Sequence, residues 1–334
     1  MADARENTVS VTERVRPVAA GAAVVGVHFL GPQAVFVLGE ETLLFVADDG
    51  TEKRVAAHAG AILASAADGK RLVTGGDDGK VALTDAAGVV TVAATDAKHR
   101  WIDQVALGPD GAIAWSAGKT AFARAGKGAD KSLDVASTVG GLAFAPKGLR
   151  LAVAHYHGVS LWFPNTMAEP EKLEWKGSHL AVTFSPDGRF LVTSMQEPAL
   201  HGWRLADHQD MRMSGYSARV RSIGWTADGR WLASSGSEQL ILWPFQAKDG
   251  PMGKQPRMLA PAQAKVSMVG CHPKQPVAAV GYADGMLLLV RRDAGAEILV
   301  KRPGEAPVSA IAWDATGARL AFGTEAGEAG ILAL

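Results

Sequence analysis

The sequence predicts an all-β protein, one closed ring of eight four-stranded units, with seven units as the alternative. Three observations carry that reading. A hairpin pattern of apolar run, turn and apolar run recurs along the chain. Short strands and turn residues alternate with no sustained helical period. The last copy stops one strand short, while a strand-like segment stands near the other end.

The clearest copy is "VTFSPDGRFLVTS", Val182 to Ser194. Pro186 pre-sets a bend, and Asp187-Gly188 supplies the positive φ of a tight turn. Related stretches start at Val24 ("VVGVHFLGPQAVFVLGE"), Ile62 ("ILASAADGKRLVTGG"), Gln104 ("QVALGPDGAIAWSAG") and Gly141 ("GLAFAPKGLRLAVAH"). Further copies start at Ser222 ("SIGWTADGRWLASSG"), Met268 ("MVGCHPKQPVAAVGY") and Ala310 ("AIAWDATGARLAFGT"). Neighbouring starts lie about 37 to 46 residues apart, the spacing of a unit of four strands.

Within a unit, the inner strand is apolar and often ends near an aromatic, as at Phe29, Phe144, Phe184, Trp225 and Trp313. A second strand ends in small residues ("TGG", "SSG", "FGT"). A third often carries Trp ("VSLWF", "LHGWRL", "LILWPF"), and a more polar outer strand closes the unit ("EKRVAAH", "VVTVAAT"). The last unit ends at "GILAL", its third strand. The segment "TVSVTERVR", Thr8 to Arg16, alternates Val with polar residues and suits the missing outer strand. Closure in this way removes the open sheet edge. Residues 17–334 then hold the repeats, and 1–334 form a single domain.

This pattern resembles the WD40 repeats of β-propellers across essentially the whole chain. The family's early Gly-His is degenerate here: Ser178-His179 comes closest, with His58 and His99 in similar places. Its Trp-Asp position reads Trp162-Phe163, Trp203-Arg204, Trp243-Pro244 and, in the second unit, Thr84-Asp85. The resemblance implies a propeller whose first strand completes the last blade. It also implies a structural role for the turn residues Asp78, His157, Glu197 and Asp284, and a binding face built from the turns between second and third strands together with the segments leading into the inner strands.

The bulk composition is consistent with a soluble cytoplasmic protein. Lys+Arg and Asp+Glu are both 34, so nothing in the balance favours nucleic acid or an anionic membrane. A single cysteine, Cys271, excludes an intramolecular disulfide and suits a reducing compartment. No window approaches the roughly 18 consecutive apolar residues of a membrane span.

Chemistry-bearing patterns are sparse. His155 and His157 flank Tyr156, and in a strand both side chains would share a face and could reach one metal. The repeat alignment instead assigns His157 to a turn, and no third ligand stands at a fixed spacing. Cys271 occupies an aromatic's position and reads as a buried thiol. "VTGGDDGK" lacks the order of a phosphate loop. No cofactor is expected, and the inner strands are mostly small and apolar, with His28, Asp103 and Asp314 as exceptions.

The expected function is a non-catalytic protein-interaction scaffold, monomeric, binding one or more proteins. The alternatives are a metal- or small-ligand sensor, or a hydrolase or oxidoreductase using the central channel. On the binding face the repeats disagree most at Trp101, Asp103, Arg219, Arg221 and Lys265 before inner strands, and at Tyr156, Gln196 and Asp77 in second turns. Exposed arginine with aromatics is a composition favoured at binding hot spots.

Overall fold

A computed structural model describes residues 9–334. Eight antiparallel four-stranded repeats follow one another. Inner strands include Val24–Leu30, Ile62–Ala67, Gln104–Leu107, Gly141–Phe144, Ile223–Trp225, Val266–Cys271 and Val308–Trp313. The fifth inner strand is the C-terminal part of a longer strand, Glu171–Phe184. Its N-terminal part pairs with Leu151–Trp162 of the fourth repeat and its C-terminal part with Phe190–Met195 of the fifth. Leu151–Trp162 likewise supplies two strands, before and after His157–Gly158, where φ is positive. Continuous hydrogen bonding therefore gives seven sheets among the described residues, the alternative count, one of them holding two repeats in six elements.

The ring closes as expected, but the closing strand is shifted toward the C-terminus and shares only Val15 and Arg16 with 8–16. Val15–Ala19 pairs antiparallel with the last strand, Glu328–Ala333. Thr8 lies outside the described residues. Val9–Ser10 adds in parallel to the outer strand of the seventh repeat, and Thr12–Arg14 is a 3-10 turn that interrupts the alternation. The physical reason is burial: Val9 is exposed, whereas Val18 packs in the seam with Val24, Phe36 and Ile331. Pro17 has no N–H to give and sits on an outer strand. Arg16 fastens the strand to the first repeat by donating to the carbonyls of Asp48 (2.8 Å) and Ala47 (3.0 Å). Ser309 Oγ crosses the seam to the Val24 carbonyl at 2.5 Å.

Apolar faces of neighbouring repeats pack on one another all round the ring, with Phe36, Phe190, Phe245 and Trp203 fully buried. Trp162 and Trp243 are likewise buried, as their repeat positions predict. Trp231 lies beneath the guanidinium of Arg292 from the next repeat. The Asp-Gly turns behave as read: Gly188 has φ +73°, and Asp187 accepts from Ser185 Oγ (2.6 Å) and the Arg189 N–H (3.0 Å).

Candidate functional site

Second turns and the segments before inner strands meet on one face of the ring. Their backbones are hydrogen-bonded: the Asp77 N–H donates to the Ala61 carbonyl, Gln196 to Ser178, and Ala283 to Lys265, at 2.8–3.0 Å. The face is held from beneath by buried side-chain networks. His58 Nδ1 donates to Asp78 (3.0 Å), and its Nε2 accepts from Thr74 Oγ1 (2.8 Å). Asp78 also accepts the Ala59 N–H. In the sixth repeat Tyr216 stands in for the histidine. Trp243 Nε1 donates to its hydroxyl at 2.7 Å, and Ser234 Oγ lies 2.7 Å away. Burial pushes the Tyr216 phenol up to about 12, so it is a structural hydroxyl and not an acid.

The residues singled out in the sequence occupy this face in several separate groups. Arg219 donates to Gln196 at 3.0 Å. Arg221 is exposed, and its guanidinium has no partner among the described residues. Lys265 lies 3.8 Å from Glu238, which also accepts from Ser217, so its charge is partly compensated. Tyr156 is half exposed, its N–H held by Ser137 Oγ at 2.8 Å. It forms a wall common to two clefts, of about 410 and 270 Å³.

Trp101 stands on another arc, 65% exposed, between two anchored neighbours. Arg100 forms an ion pair with Asp96 (2.7 Å) and donates to the Ala117 carbonyl (3.0 Å), while Ile102 is fully buried. Asp103 accepts from Ser116 Oγ at 3.0 Å.

His155 and His157 do not form a ligand pair. His155 Nδ1 donates to the Tyr156 carbonyl (2.7 Å) and Nε2 accepts from Ser160 Oγ (3.0 Å), so both nitrogens are used. His157 has φ +71°, which takes it off the strand face that a His-x-His pair would share. No group of three potential metal ligands gathers among the described residues. Channel-side ionisable groups are dispersed too. His28 meets Ser65 Oγ (2.9 Å), and burial drives its imidazole down to about 4. Asp314 is spent on Arg319 and on its own turn. Burial pushes the Cys271 thiol up to about 12, which leaves it a poor nucleophile.

Sequence reasoning missed Val25 and Leu63. Both read as core residues of apolar runs, yet they are 49% and 39% exposed. Each is the unpaired residue of a β-bulge: the register steps from Val24 to Gly26, and from Ile62 to Ala64. No local sequence signal announces a bulge there, but the same position in the seventh and eighth repeats holds Ser267 and Ser309.

Ring, inner hairpins and turn face define a β-propeller, and its repeats are similar to WD40 repeats. Residues 209–243 match the WD40 family model (WD domain, G-beta repeat), a span from the outer strand of the fifth repeat to the third strand of the sixth. Over 97 residues the chain is 29% identical to "Cell division cycle 20.1, cofactor of APC complex" of Arabidopsis thaliana. That match takes in 28% of this chain and 21% of the relative, so the chain spans about a fifth of the relative's length. In fold it is similar to the crystal structure of the computationally designed Ika8 protein. The TM-score is 0.76 at 15% identity, covering 96% of this chain and 98% of that one, a likeness of fold alone. The resemblance to WD40 repeats read from the sequence holds.

Proposed function

We propose that the chain is a non-catalytic interaction scaffold that holds one or more proteins on the face built by its second turns and inner-strand approaches. The observation that carries this reading is Trp101. A tryptophan between a clamped arginine and a buried isoleucine leaves most of its surface, 65%, to solvent. On a binding face the same ring offers a large, preorganised contact. Arg221, exposed and unpaired, adds a second anchor of the type favoured at interfaces. The relative described as a cofactor of a complex supports an adaptor role, and among the described residues His28, Asp103 and Asp314 are each engaged with a different partner.

The experiment is affinity purification with mass spectrometry from the native host. The wild-type chain is compared with the combined Trp101→Ala, Arg219→Ala and Arg221→Ala variant. The reading expects unchanged folding by circular dichroism and loss of the specifically recovered proteins. Equal recovery by a folded variant overturns it.

A further inference from the structure

Deepening the scaffold reading, we infer that the arc formed by the first three repeats is the anchoring site, and that it takes a protein segment with an apolar side chain flanked by lysine or arginine. The inference rests on that reading. Val25, Leu63 and Trp101 are the exposed apolar residues of three consecutive repeats on one face.

Backbone hydrogen bonds show that they are neighbours. Gly39 donates to the Ala23 carbonyl, and Val25 lies against Gly39. The Ile62 N–H, beside Leu63, donates to the Glu40 carbonyl at 3.0 Å. Asp77 donates to Ala61, and Ile102, beside Trp101, to Gly76. The arc is therefore a continuous chain of second turn, approach, second turn and approach.

What Val25 and Leu63 replace is informative. At the same bulge position Ser267 and Ser309 bond to the Val308 carbonyl (2.7 Å) and the Val24 carbonyl (2.5 Å) of the next inner strand. Those serines stitch the ring. Val25 and Leu63 make no such bond and expose apolar surface instead.

The rim supplies the charge complement. The carboxylates of Glu40, Glu41 and Asp77 form no ion pair among the described residues. Asp77 is pressed over the Gly60 backbone, where any Cβ would collide with it. Nearby cations are mostly spent: Arg100 on Asp96, and Lys80 3.9 Å from Asp78. Lys98 is left exposed against three carboxylates. An apolar centre with an acidic rim favours a basic, apolar segment and disfavours an acidic one.

The test selects random dodecapeptides, displayed on phage, against the immobilised full chain, and then measures the best as synthetic peptides. The expected result is enrichment of an apolar residue flanked by Lys or Arg, with binding that weakens as salt rises. Leu63→Lys, and separately Glu40→Lys with Glu41→Lys, should each weaken binding about tenfold or more. The glutamates are exposed, so their variant guards against misfolding caused by Leu63→Lys. Lys70→Ala, exposed in the Asp68-Gly69 turn of the second repeat and outside the proposed face, should leave binding unchanged. Enrichment of acidic peptides that need Arg219 and Arg221 overturns this inference and leaves the scaffold reading standing. No enrichment, or binding indifferent to both arc variants, also overturns it.

Discussion

Arg219 donates to the side-chain oxygen of Gln196 at 3.0 Å, joining the approach to the sixth inner strand to the second turn of the fifth repeat. The bond spans two repeats on the proposed binding face, while Arg221, two residues on, is exposed and has no side-chain partner among the described residues. The two arginines therefore differ in what they can offer. Exposed polar pairs contribute about 0–1 kcal/mol, so Arg219→Ala should barely move the thermal midpoint, and Arg221→Ala should not move it. In partner capture Arg221→Ala should cost more than Arg219→Ala, because its guanidinium has no internal bond to give up. A larger loss from Arg219→Ala would contradict this ranking.

The His58 network is a fold device and should behave as one. Removing the imidazole strands the hydroxyl of Thr74, which is fully buried, and takes a donor from Asp78. Leaving buried polar groups unpaired costs about 1–3 kcal/mol each. Urea unfolding of His58→Ala should show a loss of that order with an unchanged m-value.

Tyr216 should be sensitive to the loss of one oxygen. Its hydroxyl accepts from Trp243 Nε1 and lies 2.7 Å from Ser234 Oγ, all within the core. Tyr216→Phe keeps the ring's packing and orphans the indole N–H, at about 1–3 kcal/mol. Stability equal to wild type in urea would remove the network from the account.

His201 makes stability depend on pH. It is fully buried, stacked on Trp175 at 4.1 Å, and neither ring nitrogen has a hydrogen-bond partner. The nearest carboxylate, Asp210, is 3.7 Å from Nε2, too far for a hydrogen bond. Burial, then the charges of His179 and Arg212, drive its imidazole from 6.5 down to about 3. The unfolded chain therefore takes up a proton that the folded chain refuses. The neutral site's contribution is complete above pH 6.5 and lost as pH falls toward 3, with about 2 kcal/mol gone by pH 5. His201→Phe retains the stacking and should flatten the acid limb of stability against pH. An unchanged limb would assign the acid sensitivity elsewhere.

The repeat was legible because turn chemistry and apolar period are local: Asp187-Gly188 and Trp203 can be placed from their neighbours. Closure was legible in kind but not in register. Val9 and Val11 alternate with polar residues as well as Val15 does, and only packing against Ile331 and Phe36 selects the strand that reaches Val18. The long strand through Ser178 was not legible, because hydrogen bonding across a repeat junction leaves no mark on composition. The face could be located from the repeats, and Trp101 and Arg221 stood out by breaking the pattern. Val25 and Leu63 could not be found in the same way, since a bulge turns an apparent core residue outward without altering the apolar run around it.

The most direct test of the scaffold account is hydrogen–deuterium exchange of the full chain with and without a protein recovered in the affinity purification. The account predicts slowed exchange around Trp101, Tyr156, Gln196 and Arg221, with the Asp-Gly turns at Gly69, Gly188 and Gly229 unchanged. Protection confined to those Asp-Gly turns or to the outer strands would contradict it.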